Sequence, residues 1–336
     1  MSDSYPKLNK SSNKRFSEVL SEGFLLFGKN WLTLIVPFGL LFIVSLIIKN
    51  LILVDLEWQL ITITPAIETI LEGDPYLITN EQLNILFRYL IVGFSVIFFD
   101  GFFPTVFTVI SMCLVSNYLY LKFIGKDIKL ITELKKALNW KILLVILLLG
   151  VGFSIGYILL FIPGILLFAF FIFYIFTYSS DDSERPIKDA RNLAKGEFWK
   201  IVAIFFIYNL IIYVCDSIYN MIIVNFVEVN PLWYYPSTRN YGSIILYDFI
   251  LNIVPFLLTP LLVCFLTSMY ANLKMRKEQY LQHQTSYQEA PQSYKTSGEE
   301  MMSGPGIFCP FCGKPMRFKF QFCMHCGEKL DFEIPE

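Results

Sequence analysis

Apolar residues in this chain come in runs longer than a soluble core requires. Six stretches carry the pattern: 31–54, a long run within 84–121, 141–160, 164–178, 201–227 and 244–273. A helix of about 20 apolar residues crosses the hydrocarbon layer of a bilayer. The pattern therefore predicts an all-α integral membrane bundle of six transmembrane helices. As a single helix, 84–121 would be about 57 Å long, well beyond the hydrocarbon layer. It is read as one long helix kinked near Pro104 and projecting past the outer surface, with a re-entrant break at Asp100-Gly101 as the alternative.

A shorter pattern repeats in front of three of these runs. FSEVLSEGFLLFGKNWLTLIV (16–36), ITELKKALNWKILLVIL (131–147) and IKDARNLAKGEFWKIVAIF (187–205) each place amphipathic i, i+3/i+4 spacing before a tryptophan and then a span. Trp31, Trp140 and Trp199 fall where a span meets the headgroups, a position that suits an amphipathic ring. Each returning run carries a proline 14 or 15 residues before a tyrosine: Pro104 and Tyr118, Pro163 and Tyr178, Pro255 and Tyr270. Phe161-Ile162-Pro163-Gly164 reads as a tight outer turn. The predicted architecture is three helical hairpins, each introduced by an interfacial helix.

Charge adds direction. Lys and Arg crowd into 1–30, 122–141, 185–200 and the residues after the last run, while 55–83 has acids and no base and 228–243 has only Arg239. Basic residues near span ends favour the cytosolic side. The expectation is a multi-pass cell-membrane protein with both termini cytosolic and no cleaved signal peptide, since the first 30 residues are polar and basic. The chain has 336 residues, 55% hydrophobic and 16% charged, with mean hydropathy +0.55. Its boundaries are read as 1–30 (cytosolic segment with an amphipathic helix), 31–277 (six-helix transmembrane domain), 278–306 (flexible linker) and 307–336 (tail module).

The motifs FLLFGKNWLTLI, FIPGILLFAFFIFYIFTY and IKDARNLAKGEFWKIVAIF resemble the prokaryotic six-helix proteins related to the membrane domain of glycerophosphoryl diester phosphodiesterases, over about residues 16–277. In those enzymes catalysis lies in a separate soluble barrel, so the resemblance implies a scaffold and no reaction.

In the outer segment 55–83, Thr64-Pro65 and Gly73 predict a short helix at about 65–72, and Thr79 with Gln82 predicts a capping box. Asp100, Asp216 and Asp248 are the acids within or near the spans. Intramembrane carboxylates face a bundle interior or a cavity. The three are read as a possible outward-facing polar cluster with Arg88 as counter-charge; the alternative places Asp216 and Asp248 in interfacial water and Asp100 at a helix break. Cys113, Cys215 and Cys264 read as small buried hydrophobes. Only His283 and His325 are present, neither in a span, and no HExxH, GxSxG or phosphate-binding loop occurs. No enzyme is expected.

The tail holds Cys309-Pro-Phe-Cys312-Gly and Cys323-Met-His-Cys326-Gly, with polar/aromatic alternation across 317–322 between them. This resembles a zinc ribbon over about 307–330, a small β module whose four thiolates Cys309, Cys312, Cys323 and Cys326 close a tetrahedral structural site around one zinc ion. The residues thus lead to a membrane scaffold that presents a cytosolic zinc ribbon to a protein partner rather than to nucleic acid. The alternative is a small-solute or lipid transporter or channel with a regulatory ribbon.

Overall fold

The computed structural model describes residues 14–72, 79–178, 185–227, 230–288, 307–308, 315–316 and 322–323. The chain divides into two units, Met1–His283 and Gln284–Glu336.

The first unit is built on two long helices. α1 (Phe16–Glu72) runs through Trp31, Pro37 and Pro65 as one 57-residue helix, about 86 Å at 1.5 Å per residue. The separate outer helix expected at 65–72 is its last turns. No glycine or proline interrupts 54–64, and around Pro65 the hydroxyls of Thr62, Thr64 and Thr69 bond to carbonyls of the preceding turn. α2 (Asn80–Phe123) is a 44-residue helix continuous through Asp100-Gly101 and Pro104. It starts at the capping box, where Thr79 Oγ1 accepts from the Gln82 N–H and the Gln82 side chain accepts from the Thr79 N–H.

α1 and α2 are antiparallel partners in one register. Lys49 meets Asp100, Gln59 accepts from Arg88, and a Cβ on Gly93 would touch Leu60 at 3.7 Å.

The two later repeats turn corners at their tryptophans. α3 (Leu130–Ala137) is bent by 78° from the helical stretch Ile142–Gly156. Asn139 holds that corner, donating to Lys136 O and accepting from the Lys141 N–H. α7 (Pro186–Ala194) is separated from α8 (Phe198–Ile223) by Gly196, whose φ of +91° suits glycine. The first repeat makes no such corner: it lies within the unbroken α1, where Asn30 donates to Leu26 O. Trp140 and Trp199 project from the bundle, 71% and 79% exposed.

Between these corners the chain forms a short helical hairpin: α4 (Ile142–Val145), a π-helical turn (Ile146–Val151), α5 (Gly152–Phe171) and α6 (Tyr174–Thr177). The rings of Phe153 and Phe168 are 5.6 Å apart, whereas 15 residues of straight helix would separate them by about 22 Å. The backbone therefore reverses between Gly156 and Gly164, where the sequence predicts the Phe-Ile-Pro-Gly turn. The last apolar run is split: α9 (Tyr241–Leu251) stops at Asn252 and α10 (Ile253–Gln288) follows. Pro255 has no N–H to bond Leu251 O, which favours the break.

The six-span expectation is corrected. Among the described residues four helices are long and apolar enough to cross a membrane, Phe16–Glu72, Asn80–Phe123, Phe198–Ile223 and Ile253–Glu278, or up to five if the bent pair counts as one span. The limbs of the middle hairpin, Ile142–Gly156 and Ile162–Thr177, explain the difference. Each reaches only about 22–24 Å, against a hydrocarbon layer of about 30 Å.

The core lies where the hairpin, α1, α2 and α10 meet. Tyr118, Tyr178 and Tyr270, the tyrosines of the repeated pattern, are all buried there. Phe176 stacks on Tyr270 with ring centroids 4.5 Å apart, and Phe265 packs where α1 has Gly23. One end of the bundle gathers charge: Lys14 with Glu22, Glu22 with Ser268, Glu197 with Lys200 and Arg276, and Glu133 with Asn117 and Lys136. The segments rich in Lys and Arg thus meet at a single face.

In the second unit, Ile307–Phe308 pairs antiparallel with Pro315–Met316. The zinc ribbon, its zinc ion and the docking or regulatory roles built on it are corrected here. A four-sulfur site needs its thiolates converged on one ion. Among the described residues no group of three or more His, Cys, Asp or Glu could hold a metal ion. Cys323 is buried beside the exposed Phe322; Cys309, Cys312 and Cys326 lie outside the described residues, as does most of the strand expected over 317–322. The expectations of a zinc ion and of a ribbon-borne protein partner fall with it.

Candidate functional site

Lys49 is a buried charge within the bundle. The α1/α2 register places it opposite Asp100, and α9 brings Asp248 to its other side. Lys49 Nζ is 2.9 Å from Asp100 Oδ1 and 3.0 Å from Asp248 Oδ2. Asn50 Nδ2 donates to Asp248 Oδ2 at 3.0 Å and to Leu46 O at 3.0 Å, so α1 grips Asp248 with two consecutive side chains. The ammonium side chain is 9% exposed, Asp248 17% and Asp100 60%. An ammonium this buried requires a counter-charge. Here two carboxylates face one ammonium, which leaves a negative charge in excess at the mouth of the site.

Two cavities open on this cluster, and Asp100 lines both. The smaller, about 140 Å³, lies between α1, α2 and α10 and is walled by Phe38, Phe42, Phe107 and Phe256. Phe42 and Phe256 stack with centroids 5.0 Å apart. Its polar lining comprises Ser45, Thr108, Ser111, Asn252 and Thr259 besides the charges. Ser111 donates to Phe107 O, so its hydroxyl oxygen keeps only lone pairs for the cavity; Thr259 donates to Pro255 O and is also hydrogen-bonded to the Tyr208 hydroxyl. Ser45 Oγ is buried and has no hydrogen-bond partner among the described residues. The larger cavity, about 460 Å³, lies between α2, the hairpin and α8 and is mostly apolar, with Thr105, Ser154, Tyr208 and Asn209 as its further polar members.

The segment after α8 covers this end of the bundle. Arg239 bonds Asp55 at 2.7 Å, and Tyr235 packs on Trp58 with ring centroids 4.2 Å apart. Burial pushes the Tyr234 phenol well above its ordinary value, and the Glu57 and Asp248 carboxylates and the Tyr247 phenol push it the same way.

Of the residues singled out from sequence, Asp100 and Asp248 come together and Asp216 does not. Asp216 lies on α8 and accepts from Asn220 one turn later. Arg88 bonds Gln59 rather than either acid. Cys113 and Cys264 are buried, while Cys215 is exposed. Sequence reasoning missed Lys49, which reads as a span-end base, and Asn50 and Asn252. A signal existed: 49 and 100 are nearly equidistant from the α1–α2 connection at 73–79, so continuous helices on both sides bring them level.

No protein-family model, no curated protein and no solved structure matches the chain. The resemblance to the phosphodiesterase membrane-domain family is thereby corrected, its motifs being loose apolar and small-residue patterns; the resemblance to a zinc ribbon falls with it, since no relative supports it and no metal-holding group is present among the described residues. What stands is a helical bundle with several helices long and apolar enough to cross a membrane.

Proposed function

We propose that the chain is a membrane-spanning binding protein, without a catalytic role of its own, that takes a small cationic solute into the cavity between α1, α2 and α10. One observation carries this reading: Lys49 is held by two carboxylates of unequal exposure, and the more exposed, Asp100, borders the cavity. Asp248 suffices to neutralise Lys49. Asp100 is then the exchangeable member, free to leave Lys49 for an incoming ammonium group. Aromatic walls favour such a cation through the ring faces, and hydroxyl oxygens whose protons are committed elsewhere accept its N–H groups.

The Lys and Arg bias supports the orientation. The face that gathers Lys14, Lys200 and Arg276 is cytosolic, and the Lys49 site lies toward the outer surface.

A second reading is favoured by the bond from Asn50 to Asp248: the cluster is a tie between α1 and α9 and binds nothing. Thermal denaturation of the full-length protein in detergent separates the two. At constant ionic strength, ethylammonium chloride raises the wild-type Tm above that in sodium chloride, and Asp100→Asn abolishes the difference. An equal Tm in both salts for the wild type supports the tie and sinks the solute reading.

A further inference from the structure

At the opposite end of the bundle, a groove of about 610 Å³ lies between the Trp140 corner, the returning limb of the hairpin and α7. Its floor is apolar, formed by Leu144, Phe171, Tyr174 and Ile187. Its rim carries Lys141, Arg185, Lys188 and Arg191. Among the described residues none of these four cations ion-pairs with a carboxylate. Neighbouring cations of the same face do: Lys136 with Glu133, and Lys200 and Arg276 with Glu197. Four like charges around one groove repel each other, and an anion placed among them offsets that cost.

The occupant must also cover the floor. Trp140 beside it is 71% exposed, and Leu143 and Leu147 on the adjoining helix are 65% and 64% exposed, so this side of the hairpin faces lipid. A free anion would neutralise the rim and leave the floor bare. An acidic peptide would bring unpaired backbone groups against an apolar floor. An amphipathic anion satisfies both parts.

We propose that this groove binds one anionic phospholipid, with its phosphate among Lys141, Arg185, Lys188 and Arg191 and an acyl chain along Leu144 and Phe171. Guanidinium and ammonium groups give the phosphate charge-assisted hydrogen bonds, and each basic residue at such a surface adds to anionic-lipid affinity. This site is separate from the Lys49 cavity and does not depend on it.

Native mass spectrometry of the full-length protein in neutral detergent tests the proposal, with dioleoyl-phosphatidylglycerol and dioleoyl-phosphatidylcholine as probes. The wild type is expected to retain one phosphatidylglycerol per chain, about tenfold or more in preference to phosphatidylcholine. Arg185→Gln/Lys188→Gln/Arg191→Gln reduces retention to the phosphatidylcholine level, and Leu144→Trp, which narrows the groove without changing charge, also weakens it. Lys126→Gln, an exposed lysine outside the groove, leaves it unchanged. Equal retention of the two lipids by the wild type, or undiminished phosphatidylglycerol in the triple variant, overturns the proposal. Complete displacement by millimolar glycerol 1-phosphate also overturns it, because a headgroup alone would then suffice.

Discussion

Gly156 faces Gly164 so closely that a Cβ at position 156 would lie 3.0 Å from the Gly164 Cα and N. Those atoms are backbone and cannot swing aside, so the reversal of the middle hairpin depends on the absence of a side chain. Gly156→Val is expected to destabilise the protein by about 1–3 kcal/mol, the usual cost of overpacking, and to lower its Tm in detergent. Gly28 provides the contrast: it lies in α1, and a Cβ there would have nothing within 4 Å. Gly28→Ala is expected to stabilise by roughly 0.5–1 kcal/mol through helix propensity.

The two acids at Lys49 are expected to differ in stability effect. Asp248→Asn removes the more buried of the two counter-charges and breaks the bond from Asn50, while Asp100 still faces Lys49, so a loss of about 1–3 kcal/mol is expected. Asp100 is largely exposed, so Asp100→Asn is expected to cost about 0–1 kcal/mol. Denaturation midpoints of the two variants check this order. Equal losses would mean that neither acid is exchangeable.

The α1–α2 pair is expected to remain helical and in register well beyond the Lys49 level. With Leu60→Cys and Gly93→Cys introduced together, a short thiol-reactive crosslinker should join the two positions within one chain, as their contact requires. Leu60→Cys with Gly101→Cys, about two turns further along α2, should not react. Crosslinking of both pairs alike would mean that residues beyond Lys49 form a loose loop.

Much of the helical skeleton is legible in the sequence because its signals are local. The Thr79/Gln82 capping box and the Pro163-Gly164 reversal each rest on a few adjacent residues, whereas Asp100-Gly101 and Pro104 locally signal a break or a kink and α2 continues through them. The helix beyond Val54 is not legible in this way. Pro65 reads as a helix start, yet threonine hydroxyls bond the carbonyls around it and α1 continues. That continuation sets the register which levels Lys49 with Asp100. Lys49 is therefore hidden in the sequence while its two acids are visible. Asp216 shares their residue type, yet on α8 its carboxylate accepts from Asn220 one turn along and does not pair with Lys49, a distinction made by packing alone.

The most direct test of the Lys49 cavity is calorimetric titration of ethylammonium chloride into the full-length protein in detergent, with Asp100→Asn and Asp216→Asn measured alongside. A single saturable site is expected in the wild type and in Asp216→Asn, and none in Asp100→Asn. Saturable binding that survives in Asp100→Asn, or is lost in Asp216→Asn instead, would contradict it.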